Sequence, residues 1–278
     1  MRCLLFPGQG VQRRGMGAGL FDEYREITDT AGEILGYSIE DLCLRDEQRQ
    51  LRTTRHAQPA IFFVNALLGM RQLREEPDAY AYLAGHSLGE YDALVLGGYL
   101  DLHEALLLVK RRAELMARAG GGGMVAIIGA PGALVQRALH ETGLSKVYIA
   151  NRNADVQTTI AGDSAELQVA ARAMATLPGA RVVRLNVSGP FHTPLMESIG
   201  TELAEILRGC AFTPGHLPVM SSVTGELFDP EHAVELLAGQ VSAPVEWIRT
   251  VRALRAAGVT HFDEVNGRTM VSLTEGIH

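Results

Sequence analysis

Apolar residues along the chain follow two spacings, and their alternation divides it into strands and helices. Short apolar runs at 2–6, 79–84, 124–128, 147–150, 157–160, 181–185, 218–223 and 259–265 predict eight strands. Between them the spacing turns helical. Phe21, Tyr24, Thr28, Ala31 and Ile34 or Leu35 form one apolar face, which Gly36 ends. Leu102, Ala105, Leu106, Val109, Ala113 and Met116 form another, with Asp101 as its N-cap, in a helix over 102–119. Gln58-Pro59-Ala60 opens a helix with Pro59 at its first position. The residues from Ile61 to Met70 are too continuously apolar for a surface helix, so it is expected to be buried on several sides. Further helices are predicted at 90–96, 133–141, 165–175, 195–206, 230–240 and 244–257.

The order of these elements carries the architecture. Outside the middle of the chain, strands alternate with helices, which argues for a mainly parallel sheet covered by helices on both faces. Over residues 124–187 the order becomes βαββαβ, the split βαβ arrangement of a ferredoxin-like unit. Gly120 to Gly123 precede it and read as a hinge. The expected fold is therefore α/β, with a large unit from 1–123 and 188–278 and an inserted ferredoxin-like unit at 124–187.

Composition narrows the function. A chain of 278 residues, 47% hydrophobic, can bury a substantial core. No apolar run is long enough to span a bilayer, and the one at the N-terminus is too short for a signal sequence. A net charge of −7 does not favour nucleic acid. An acidic ligand would need a local basic patch. The densest basic clusters, Arg13-Arg14 and Lys110-Arg111-Arg112, ordinarily read as solvated faces. Cys3, Cys43 and Cys210 are odd in number and scattered, which points to a reducing, cytoplasmic compartment.

Four places carry candidate chemistry. Gly85-His86-Ser87-Leu88-Gly89 has the form G-x-S-x-G between a predicted strand and a predicted helix, the context of a serine elbow. Ser87 needs a base to take its proton. His86 points away on such a turn, whereas His192, in the Gly/Pro-rich loop after the inserted unit, stands at a plausible cleft edge. No carboxylate stands out as a third member. Asp155, Asp163 and Asp263 qualify on chain order alone, and a backbone carbonyl could orient the imidazole instead. Oxyanion donors are expected from the N–H of Leu88 and from the Gly8-Gln9-Gly10 loop, although that loop also reads as a simple turn. Arg112 borders the apolar face of its helix, where it either snorkels to water or binds an anion in a cleft.

Phe6-Pro7-Gly8-Gln9-Gly10, Gln58-Pro59-Ala60, Gly85-His86-Ser87-Leu88-Gly89-Glu90-Tyr91, Arg112, Pro190-Phe191-His192 and Pro244-Val245-Glu246-Trp247 occur in one order along nearly the whole chain. Together they resemble the malonyl-CoA:acyl-carrier-protein transacylase family, and within it the free-standing acyltransferases of modular polyketide synthases. The resemblance implies an α/β-hydrolase-like large subdomain with a ferredoxin-like insert. It implies Ser87 as acylated nucleophile, His192 as base, backbone N–H groups of Gln9 and Leu88 as oxyanion donors, and Arg112 as ligand of the malonyl carboxylate. It also places the His192-orienting carbonyl near Glu246 and assigns Phe191 to exclusion of a 2-methyl branch. The implied partners are malonyl-CoA and an acyl carrier protein, which brings its own phosphopantetheine, so no cofactor or metal is expected. An acyl hydrolase of the same fold and a non-catalytic scaffold are the competing readings. The C-terminal stretch from Val265 to Thr274 departs from the family's glycine-proline-glycine pattern.

Overall fold

A computed structural model describes all residues, 1–278. Eight strands run β1 Arg2–Phe6, β2 Tyr80–Gly85, β3 Gly122–Ile128, β4 Val147–Ala154, β5 Gln157–Asp163, β6 Arg181–Arg184, β7 Val219–Met220 and β8 His261–Glu264. The helices are α1 Leu20–Glu23, α2 Arg25–Leu35, α3 Ile39–Leu44, α4 Thr54–Glu75, α5 Gly89–Leu96, α6 Leu102–Ala117, α7 Gly132–Glu141, α8 Ser164–Met174, α9 Glu197–Leu207, α10 Ala233–Gln240, α11 Trp247–Ala256 and α12 Thr269–Glu275.

Two four-stranded sheets result. The first, in the order β7-β2-β1-β8, is parallel throughout, as the βα alternation demands. The second, β4-β5-β3-β6, is antiparallel and has ferredoxin-like topology. Helix α4 is buried along most of its length from Ala57 to Leu67, because it packs among α5, α6 and the parallel sheet.

Register in the parallel sheet positions the site. Phe6 pairs with Gly85, Leu5 with Glu264, and Ala84 with Met220. Loops 7–10, 86–88, 221–222 and 265–268 therefore all emerge at the carboxyl edge of one sheet, where ligands of open α/β folds bind.

Several sequence expectations need correction. The helix expected to begin at Pro59 begins at Thr54, with Pro59 inside it. The proline forfeits one bond, to the Arg55 carbonyl, while the preceding turn is closed by His56 and Ala57 N–H groups on the Thr53 carbonyl. The 21–35 helix is broken at Tyr24, whose φ of −115° and ψ of 45° are not helical. Gly122 and Gly123 belong to β3 rather than to a hinge. The helix expected from Pro244 begins at Trp247, because the Val245 N–H and C=O bond the backbone of β4 at Ala150 and Arg152.

The candidate active site

Strand β2 ends at Gly85, and the chain turns at once into α5. The turn demands two glycines. A Cβ on Gly85 would lie 2.0 Å from the carbonyl group of Gly89, and one on Gly89 would lie 2.0 Å from the carbonyl oxygen of Phe6. Between them Ser87 is held at φ 52°, a left-handed conformation that a non-glycine residue adopts only when its surroundings enforce it. Its Oγ projects into a cleft of 260 Å³ between the two sheets.

His192 reaches the same cleft from the loop after β6, 105 residues away. It too has a positive φ, 62°, and its N–H bonds the Val241 carbonyl. Its Nε2 lies 2.8 Å from Ser87 Oγ. On the far side of the ring, Nδ1 lies 2.8 Å from the Gln240 carbonyl. A carbonyl can only accept, so Nδ1 carries the proton and Nε2 presents a lone pair to the serine hydroxyl. That carbonyl belongs to the last residue of α10, one of the helix's unpaired acceptors at its negative end.

The orienting carbonyl is thus Gln240's and not, as the sequence suggested, one near Glu246. The Glu246 carbonyl is taken by Thr250, and its carboxylate pairs with Arg152 at 3.2 Å. None of the acidic alternatives approaches His192. Asp155 pairs with Arg252, Asp163 caps α8, and Asp263 pairs with Arg2. His86 hydrogen-bonds Asn153 and tilts against the ring of Trp247. His192 is 5% exposed, and its pKa is pushed down to about 3 by burial and then by the positive Arg112.

Arg112 lies on α6 and is 1% exposed. It donates to Gln58 Oε1 at 2.7 Å, Gln240 Oε1 at 2.9 Å and Ser87 Oγ at 3.2 Å, and it rests 5.4 Å over the ring of Tyr91. All three hydrogen-bond partners are neutral, it makes no salt bridge, and its Nε has no acceptor. Burial lowers its pKa. A buried guanidinium so placed has the chemistry to receive an anion within reach of the serine.

Gln9 and Leu88 line the cleft beside Ser87, and neither backbone N–H is used within the protein. Phe191, buried next to His192, lines the same cleft. Sequence reasoning gave no role to the amides and carboxyl that tie these parts together. Gln240 Nε2 donates to the Ser87 carbonyl at 3.1 Å and to Glu90 Oε2 at 2.7 Å. Glu90 also accepts from the N–H and Oγ of Ser222, and burial raises its pKa. The available signal was Gln240 itself, a polar residue at helical spacing from Ala233 and Leu237 on the buried face of α10.

A parallel sheet carrying an elbow serine against a neutral histidine has the arrangement of a serine-nucleophile acyltransferase or acyl hydrolase. Comparison with known proteins agrees. A family model described as an acyl transferase domain matches residues 3–266. A polyketide biosynthesis malonyl CoA-acyl carrier protein transacylase, PksC of Bacillus subtilis, is 41% identical over 100% of this chain and 97% of its own. The malonyl CoA-acyl carrier protein transacylase of Escherichia coli K12 is 33% identical over 99% of this chain and 92% of its own. The crystal structure of the Burkholderia pseudomallei transacylase superposes with a TM-score of 0.95 at 36% identity, over 99% and 97% of the two chains. The chain belongs to the acyl transferase family, in its malonyl-CoA:acyl-carrier-protein transacylase group, and is an acyltransferase. No helix is long and apolar enough to cross a membrane.

Proposed function

We propose that this protein transfers a malonyl group from malonyl-CoA to the phosphopantetheine thiol of an acyl carrier protein, for polyketide or fatty-acid chain extension. The observation that carries the reading is Arg112, buried without a counter-ion, 3.2 Å from a serine hydroxyl that lies 2.8 Å from a neutral histidine. His192 takes the Ser87 proton on Nε2 as Oγ attacks the thioester carbonyl, and the Gln240 carbonyl stabilises the imidazolium through Nδ1–H. The N–H groups of Gln9 and Leu88 receive the oxyanion. Thiolate then leaves, taking the proton from Nε2, and the carrier thiol repeats the sequence in reverse. Arg112 holds the malonyl carboxylate, leaving the carbonyl over Ser87. Phe191 beside His192 opposes a 2-methyl branch, a discrimination of about 1–3 kcal/mol.

Names of relatives support both partners. They are malonyl CoA-acyl carrier protein transacylases, and one solved structure, 32% identical, is of such an enzyme with a type II polyketide carrier protein. The site sits where an outer unit meets an inserted one, which opens with β3 at Gly122 rather than at residue 124 and runs to 187. The free thiols of Cys3, Cys43 and Cys210 support a cytoplasmic setting. Following CoA release and acyl-carrier formation with and without holo carrier protein tests the reaction. Transfer predicts malonyl-carrier product and little free malonate. Rapid release of malonate without carrier would instead establish a hydrolase.

A further inference from the structure

The sequence sets Arg13-Arg14 apart as a basic cluster, and the reaction above leaves it unused. Folding adds to it. Arg13 and Arg14, on the loop after β1, line a groove of 510 Å³ together with Arg52, before α4, and Arg184, the last residue of β6. Three separate chain segments and both sheets contribute. None of the four guanidinium groups pairs with a carboxylate, although twelve other arginines do. Asp46 is the one acidic residue in the groove, and its Oδ1 already accepts from the Leu51 N–H. In a chain of net charge −7, this convergence of unpaired positive charge opposes the average field.

The groove is continuous with the serine cleft, since Gln9, Gly10, Leu185 and Val187 line both. A pantetheine thioester with its carbonyl over Ser87 must lead its arm out of the cleft, and every such arm ends in a phosphate. Resting on the transacylase reading, we propose that the arginine groove binds the phosphate of the pantetheine arm. Guanidinium suits this task, because it offers paired N–H donors to phosphate oxygens and stays charged. The phosphate could belong to CoA or to the phosphodiester that joins the arm to a carrier protein. The two half-reactions separate these sources.

Arg14→Ser/Arg52→Ser/Arg184→Ser is compared with wild type and with Arg137→Ser/Arg172→Ser, which removes unpaired charge from the outer helices α7 and α8. Arg13 is left in place because it also hydrogen-bonds Asn266. Malonyl loading is measured from malonyl-CoA and from malonyl-N-acetylcysteamine, which lacks phosphate. Unloading is measured onto holo carrier protein and onto free pantetheine. CoA affinity is measured separately on Ser87→Ala proteins, where no acyl chemistry occurs. The groove variant is expected to lose about tenfold in kcat/KM with a phosphate-bearing donor, acceptor or both. It should stay within about twofold for the phosphate-free compounds, which also shows that it is folded. Loss confined to malonyl-CoA assigns the groove to CoA, and loss confined to the carrier assigns it to the acceptor arm. Equal losses with and without phosphate, no loss at all, or the same loss in the α7/α8 control would overturn the proposal. If Ser87 fails to acylate in wild type while the groove variant still loses CoA affinity, the transacylase reading fails and the groove stands.

Discussion

At the residue scale, the site depends on charges whose burial has been made useful. Arg112 has no carboxylate of its own, so Arg112→Ala should cost malonyl loading about a hundredfold or more. Loading of acetyl from acetyl-CoA, which has no carboxylate to hold, should change far less. Equal losses for both acyl groups would mean that Arg112 serves the serine rather than the substrate. His192 makes a prediction of opposite character. With its pKa at about 3, the imidazole stays neutral and able to accept a proton far below the ordinary histidine range. The rate of Ser87 acylation should therefore hold level from pH 8 to below pH 6, where an unperturbed histidine of pKa about 6.5 would already be failing. Removing the positive charge of Arg112 should move the acid limb upward.

Asp92 bears on stability. It is fully buried, its Oδ2 accepts from Asn65, its Oδ1 has no partner, and burial holds its pKa well above the usual aspartate value. The folded chain keeps this proton where the unfolded chain, with a pKa of about 3.9, has released it. Stability from this group therefore falls as pH rises from that value toward the raised one. Asp92→Asn removes the slope. Its thermal midpoint should exceed wild type at pH 7 to 8, with a gain of about 1–3 kcal/mol, and converge on wild type near pH 4. A gain independent of pH would show that Asp92 is not the titrating group.

At the element scale, what the sequence reveals is what local chemistry decides. The elbow was legible because Gly85 and Gly89 are forced by close approach, and Asp101 marked the start of α6 because its carboxylate caps the N–H groups of His103 and Glu104. Gly89→Ala should displace α5 from β1, costing about 1–3 kcal/mol and most of the acylation rate, as denaturation and adduct formation can show. Other elements were decided from far away. Helix α12 went unseen because its first turn is capped by Glu264, which accepts from the N–H groups of Met270 and Val271 across a chain reversal. The predicted strand at 218–223 shrinks to Val219–Met220 because Ser222 turns inward to Glu90. Helix α3 could have been found, since Ser38 caps Asp41 from three residues before it.

At the scale of the whole molecule, one parallel and one antiparallel sheet enclose one cleft, and the Ser87–His192 pair lies in it. Ser87 comes from the parallel sheet, and His192 from the segment that returns from the antiparallel one. Chain order could suggest this pairing, but it could not locate the Gln240 carbonyl, which α10 brings in from 48 residues beyond His192. A buried amide network also holds the Pro7–Gly10 loop. Asn65 donates to the Pro7 carbonyl and accepts from Asn266, in the same C-terminal stretch where the sequence departs from its family. Asn266 therefore anchors the loop through its side chain, by way of Asn65.

The most direct test of the account is the intact mass of the protein after brief mixing with malonyl-CoA. Wild type should gain one malonyl group, mapped by peptide analysis to Ser87 and discharged by a holo carrier protein, while Ser87→Ala gains none. A wild-type protein that stays unmodified under turnover, or an adduct that survives in Ser87→Ala, would contradict it.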